Sequence, residues 1–204
     1  MVVKLRRVPT TNSLEIVVVM KDSFRSGSFY RLTGAITSSS LEIFSADIHS
    51  LSGSKMLCSF MVLDPDFDET PDPRLDLIQK RIVQEFQSEG VPPVFPKKWG
   101  ARTYTSAASK VAHMPSKVRF DTETLEYATI IDVFTHDRAG LLYAIAKHIF
   151  HLGFDIQFAK VGTYLDQVVD VFYVSDMDGN KITDREHLEQ IRSHLLDVVS
   201  QYKP

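Results

Sequence analysis

Cysteine is almost absent: Cys58 stands alone in 204 residues. A single cysteine excludes an internal disulfide framework and fits a reducing compartment. Long apolar runs are missing too, and none approaches the roughly 18 residues that a membrane-spanning helix needs. The opening MVVKLRRVPT is basic, but no apolar stretch follows it, so no secretory signal is expected and a soluble, cytoplasmic protein is. Charge of one sign is scarce. Lys and Arg number 23 and Asp and Glu 26, leaving a formal net charge of -3. That balance lacks the field of a nucleic-acid binder, so neither nucleic acid nor membrane is an expected partner. With 44% hydrophobic and 24% charged residues, the chain suits one large or two small globular domains.

What is present is an internal repeat. LEIVVVMKD (14–22) corresponds to ATIIDVFTHD (128–137), and each run is followed by a glycine, Gly27 or Gly140, and a helical pattern. LEIFSADIHSLSG (41–53) corresponds to FDIQFAKVGTYLD (154–166), and MLCSFMVLD (56–64) to VVDVFYVSD (168–176). A second helical pattern closes each copy. Four elements in one order at near-constant spacing are the mark of a duplicated unit. Each copy reads strand, helix, strand, strand, helix. Leu141, Leu142, Ile145, Ile149 and Leu152 recur at helical spacing, and Gly153 suits the left-handed position that ends a helix. Leu188, Ile191, Leu195 and Val198 form the stripe of the last helix, with Thr183 and Glu186 as its capping box. In the first copy Asp72 reads as an N-cap followed by Pro73, and Leu75, Ile78 and Ile82 mark the buried face.

Two details of the strands carry information. Ile156 and Ala159 are three residues apart, as are Ile43 and Ala46, so strict alternation would put each pair on opposite faces. A β-bulge in both copies would return them to one face. The strand around Val169, Val171 and Tyr173 is apolar on both faces, which leaves a sheet face to be covered by the other repeat or by another chain. Neither copy has a strand after its last helix. The segments KVRF (117–120) and VKLRRV (3–8) are β-like, and exchange is expected: 117–120 completing the first sheet and the N-terminal segment the second. The expected boundaries are residues 1–90 for the first unit, a Pro-rich and basic linker over 91–116, and 121–204 for the second. In that linker Lys97, Lys98 and Arg102 read as a solvated basic stretch.

DRAGLLYAIA followed by IQFAKVGTYLDQVVDVFYVSDMDGNKI resembles the ACT domain, and more narrowly the tandem ACT pair that ends the bacterial PII uridylyltransferase/uridylyl-removing enzymes. The likeness is strongest over 114–199. The first copy is looser, because its loop KDSFRSGSFYR lacks the Asp-Arg-x-Gly pattern. The resemblance implies an α+β fold of two ferredoxin-like βαββαβ sandwiches. It implies a regulatory module that senses an amino acid, glutamine first, and controls a nucleotidyltransferase in nitrogen metabolism. Its partners would be the effector, the catalytic part or the PII protein, and a second copy in a homodimer. Magnesium would belong only to the catalytic part, so no cofactor is expected in this chain. A free-standing ACT pair that dimerises without an effector is the alternative.

The candidate chemistry divides as follows. His136-Asp137 looks like the doublet of metal-dependent phosphohydrolases but sits at a strand end, where Asp137 serves better as a helix N-cap. His148 and His151 share a helix face, yet their counterparts are Ala35 and Ser38 and no third ligand is near, so no metal site is expected. Gly27-Ser28 is followed by Asp47-Ile48-His49 rather than the carboxylate pair that nucleotidyl transfer needs. Cys58 alternates with Met56 and Phe60 and reads as a packed side chain. No catalytic residue is expected. The loop Asp137, Arg138, Ala139, Gly140, Leu141 is the candidate binding site: helix-start N–H groups favour a carboxylate, Asp137 could pair with an ammonium, and Gly140 admits close approach. The ACT resemblance adds a second strand, Ile156 and Gln157 or Ile43 and Phe44.

Overall fold

The computed structural model describes residues 1–21, 27–51, 55–66, 69–88, 115–136, 140–164 and 167–200. Each unit has six elements. The first runs β1 (Val2–Val8), β2 (Ser13–Lys21), α1 (Ser28–Ser38), β3 (Glu42–Leu51), β4 (Lys55–Leu63), α2 (Asp72–Gln87). The second runs β5 (Lys117–Asp121), β6 (Thr129–His136), α3 (Leu141–His151), β7 (Phe154–Tyr164), β8 (Gln167–Asp176), α4 (Arg185–Ser200). All eight strands join one sheet in the order β1-β2-β4-β3-β7-β8-β6-β5. This is an α+β architecture of two ferredoxin-like units in tandem.

Alternation along β2 sets the inner face. Leu14, Ile16, Val18 and Met20 are buried, and the residues between them are half-buried. Ile16 pairs with Phe60, which stacks on Phe29 of α1 at 6.0 Å between ring centroids. In the second unit Ile131 pairs with Phe172 in the matching place. Both phenylalanines are fully buried, each contributing about 2–3 kcal/mol of apolar burial. The helical stripes behave as their spacing predicts: Ile78 and Ile82, Ile145 and Ile149, and Leu188, Ile191 and Leu195 all lie in the core. The predicted bulge is present in both copies. The β3–β4 register shifts between Ile43 and Ser45, and the β7–β8 register between Ile156 and Phe158. Phe44 and Gln157 are the extra residues, and the shift lets Ile43 oppose Val62 while Ala46 opposes Phe60.

Edge strands are not exchanged. β1 pairs along its whole length with β2 of its own unit, and β5 with β6. The physical reason is loop closure. β1 and β2 are joined by a four-residue turn, closed by Thr11 N–H donating to the Val8 carbonyl at 3.1 Å. β5 and β6 are joined by a turn in which the Asp121 carboxylate accepts from the Glu123 and Thr124 backbones. Local pairing costs little loop entropy. Exchange would carry each strand across the sheet, since β1 and β5 are its two edges. Seven strand spacings amount to roughly 34 Å. Each unit therefore takes the missing last strand from its own N-terminal side.

Caps also shift from their expected places. Asp72 is the first residue of α2 and Pro71 its N-cap. Asp184, not Thr183, closes the start of α4, its carboxylate accepting from the Glu186 backbone at 3.0 Å. Gly153 has the expected left-handed conformation, φ +88°.

The units meet edge to edge. β3 and β7 run antiparallel, with Ser45 opposite Gly162, Ala46 opposite Val161 and Asp47 opposite Lys160. An offset of 113 residues lays Ser28 of α1 on Leu141 of α3, and it also carries Asp47 onto Lys160 and Tyr30 onto Tyr143. A pseudo-twofold axis thus passes through the Asp47–Lys160 pair and between the two tyrosine rings, whose centroids are 6.2 Å apart. The second repeat extends the first sheet and does not cover it. Among the described residues the face away from the helices stays open, carrying Val17, Leu57, Met61, Val171 and Tyr173 half-buried and Val169 at 43% exposure.

Removing residues 1–8 should strip the edge of the first unit. Val3 is core, and its carbonyl accepts from Gln79 of α2 at 2.9 Å. Amide exchange should accelerate in β2 and α2 and stay unchanged in β6. Faster exchange in β6 alone would revive the exchanged arrangement.

Candidate functional site

Gly140 is where the structure departs from the expected cap. It is itself the N-cap of α3, in the left-handed conformation at φ +72°. Its carbonyl accepts the first helical bond, from Ala144 N–H at 2.9 Å. Asp137 is therefore not the N-cap residue. Asp137, Arg138 and Ala139 lie outside the described residues. Gly27 has the same role on α1, with φ +91°. A glycine supplies no capping oxygen, so the N–H groups of each first turn must find another acceptor. Leu141 sends its side chain into the core at 2% exposure, which leaves its backbone as the part that can meet a ligand.

Strand register decides which residues can face Gly140. β6 ends at His136, opposite Gln167, and begins at Thr129, opposite Val174. Ile156 also pairs with Val174, so Ile156 and the bulged Gln157 lie at the far end of the sheet from the α3 start. Seven residues of strand amount to roughly 23 Å. The structure therefore does not bring Ile156 and Gln157 to Gly140. Gln157 is engaged locally instead, its amide donating to Ser175 Oγ and Asp155 Oδ2, both at 3.1 Å. The antiparallel β3–β7 seam places the start of β3 beside the end of β7. Ile43 and the bulged Phe44 thus share the sheet end with Gly140. By the pseudo-twofold axis, Ile156 and Gln157 belong to the twin position beside Gly27.

The helix start at Gly27 is faced by the other unit. At Gly27 the ring of Phe150, from the other unit, lies so close that a β-carbon would fall 3.2 Å from its Cδ2. Tyr30 packs on Phe150 at 5.3 Å between centroids. The 113-residue offset puts Thr37 of α1 in the place corresponding to Phe150. The approach of Phe150 to Gly27 was not read from the sequence, where Phe150 is one apolar residue of a helical pattern.

The other candidates separate. His148 Nδ1 sits 2.8 Å from the Ala144 carbonyl, and His151 lies against Tyr30 and Phe150. Burial first, then Lys147 and His148, hold His151 below its ordinary pKa. Among the described residues no group of three or more His, Cys, Asp or Glu has metal-binding geometry. Asp47 and His49 lie on the open face, Ile48 is in the core, and Gly27 caps a helix on the other side of the sheet. That does not gather the carboxylates of a nucleotidyl-transfer site. The basic stretch Lys97, Lys98 and Arg102 lies outside the described residues. No helix among the described residues is long and apolar enough to cross a membrane.

Two side-by-side βαββα units, each with an added N-terminal strand and helices on one face, define a tandem of the ACT class. Residues 124–201 match the model of the ACR family N-terminal ACT domain, so the second unit carries an ACT domain. The match begins after β5, in agreement with β5 being an addition to the βαββα unit. The chain is similar to the bifunctional uridylyltransferase/uridylyl-removing enzyme of Azospirillum brasilense, 29% identical over 174 residues, covering 85% of this chain and 19% of the relative. That of Caulobacter vibrioides (strain NA1000 / CB15N) is 30% identical over 200 residues, covering 95% of this chain and 20% of the relative. The chain thus spans about a fifth of the length of the curated relatives it matches. Among solved structures, aspartate kinase from Synechocystis aligns over 89% of this chain and 26% of its own, with TM-score 0.42 and 11% identity.

Cys58 is fully buried and burial pushes its thiol up to about 12. An ordinary thiol titrates near 8.5, so the fold retains a proton that the unfolded chain loses above that pH. Stability should therefore fall as pH rises from about 8.5 toward 12. At pH 8 a thiol reagent should modify Cys58 only as fast as the chain unfolds. Immediate labelling of native protein would contradict this packing.

Proposed function

We propose that this ACT pair is a regulatory module that binds an amino acid, glutamine first, and passes that state to a uridylyltransferase/uridylyl-removing catalytic part. The reading rests on one observation above the others. The left-handed Gly140 presents the α3 start at the unit–unit seam, on the same sheet end as Ile43 and Phe44. The first-turn N–H groups and the helix dipole favour an α-carboxylate by about 0.3–1 kcal/mol. Asp137 precedes Gly140 in the sequence and has the charge to meet the α-ammonium. The seam matters because a ligand held by both units can bias how they pack, which is what a regulatory signal requires. This chain carries no catalytic step of its own in this account. The similarity to the uridylyltransferase/uridylyl-removing enzymes supports the choice of regulated activity, while glutamine as effector and the PII protein as downstream partner come from the ACT resemblance alone. The module would act in nitrogen regulation in the cytoplasm.

Glutamine titrated into the chain should release or absorb heat, and at a hundredfold excess over its Kd should stabilise the fold by about 2.7 kcal/mol. Gly140→Val should abolish the response. That substitution also strains a backbone at φ +72°, so Gly153→Val is the matched control. Gly153 has φ +88° and nothing within 4 Å of a β-carbon, so it imposes similar strain away from the site. Loss of binding in both variants would assign the effect to instability. No response to glutamine or any other amino acid in the unaltered chain would favour an interaction module without effector.

A further inference from the structure

The sheet face turned away from the helices is apolar over much of its width, and no element among the described residues covers it. One row crosses it in register: Val2, Val19, Leu57 and His49 of the first unit lead into Phe158 and Tyr173 of the second. The rings meet at the seam, His49 and Phe158 at 5.2 Å and Phe158 and Tyr173 at 5.0 Å between centroids. Val2 and Val169 stand 56% and 43% exposed. At the centre of the same face, on the pseudo-twofold axis, lie two opposite charges, Asp47 and Lys160. Among the described residues neither makes a hydrogen bond or an ion pair.

We propose that a second copy of the chain docks on this face, sheet on sheet, about a twofold axis that runs parallel to the strands along the seam. A twofold interface uses the same patch on both copies, so the patch must complement itself. This axis turns the second copy over and lays its β7 on β3 of the first, at unchanged height along the strands. Asp47 of each copy then faces the partner's Lys160, so both seam charges gain an opposite. By the same operation Leu57 faces the partner's Tyr173 and Met61 the partner's Val169, because β4 and β8 flank the seam equally and the residues of each pair share a row. A twofold axis across the strands would instead lay Asp47 on Asp47 and Lys160 on Lys160, and like charges repel. Stacked sheets lie about 10 Å apart, a gap that a lysine and an aspartate reaching toward each other can span. The basic border, Lys4 and Arg6 on β1 with Lys117 and Arg119 on β5, falls at the corners of the stack, where twisted sheets splay apart and water screens like charge. Eight strands and the five residues from Val2 to Arg6 give a face of roughly 34 by 17 Å, about 600 Å². Two copies would bury about 1,200 Å², the lower end of the range for specific complexes, which suits a dimer that dissociates on dilution. The proposal is independent of whether glutamine binds.

The test is sedimentation equilibrium of the whole chain, unaltered and in four variants. The unaltered chain should form a dimer reversibly with concentration. Val169→Glu, at an exposed position of the open face, should raise the dimer dissociation constant at least tenfold. Leu77→Glu, 65% exposed on α2, should leave it unchanged. Asp47→Lys and Lys160→Asp should each weaken the dimer at least tenfold when alone. An equimolar mixture of these two should restore it, since each seam charge then meets its opposite in the other chain while the like charges within each chain remain. A role of the two residues confined to the seam within one chain cannot be rescued by mixing. A chain that stays monomeric at every concentration would overturn the proposal, as would a dimer indifferent to Val169→Glu or broken by Leu77→Glu. Single reversals that dissociate and do not reassociate on mixing would overturn the strand-parallel twofold.

Discussion

The β3–β7 seam is the constraint on which the rest of the arrangement depends. It has three opposed pairs in register, Ser45–Gly162, Ala46–Val161 and Asp47–Lys160. Ala46 and Val161 are buried beneath it, and the Asp47–Lys160 pair puts opposite charges on the axis itself. Opposite charges directly across a strand pair contribute on the order of 0.2–1 kcal/mol, and like charges at a self-related position would repel. A duplicated unit places the same position opposite itself at the axis, so divergence to Asp in one copy and Lys in the other is what suits the seam. With β3 and β7 paired, the other elements fall into place. The helices line up on one face, α1 meets α3, and each unit's glycine cap comes to the sheet end where the other unit's bulge begins.

Much of the fold was legible because it is periodic. Helical stripes named the buried faces, and the duplication fixed element order. The Ile-x-x-Ala step revealed a bulge that both copies contain, since two inward residues three apart admit no regular strand. The edge strands were misassigned for a physical reason. Sequence shows that 3–8 and 117–120 are β-like and that each unit lacks a strand, but pairing partners are settled by loop closure and by distance across the sheet. The hairpin at Thr11 and the turn at Asp121 win locally. The caps failed similarly: Asp137 and Gly140 both suit a helix start, and only the backbone shows the helix beginning one residue past the glycine.

The position of the candidate residues was legible only in part. Gly140 and Leu141 occupy the helix start that the motif indicated. Ile156 and Gln157 lie away from Gly140, because antiparallel register at the seam brings Ile43 and Phe44 to that end. Which unit supplies the strand is a property of assembly, invisible in either copy alone. The same holds for Phe150. Within its helix it is one apolar residue near the end, and only packing across the seam places it over Gly27.

The seam is tested most directly by residue-resolved amide exchange along β3 and β7. With β7 in place both strands are interior, so the amides of β3 and β7 that face each other should be protected at the level of global unfolding, together with β4 and β8. Protection that is high on the β4-facing and β8-facing sides but absent for the amides directed across the seam would show two sheets with separate edges, and would contradict the account.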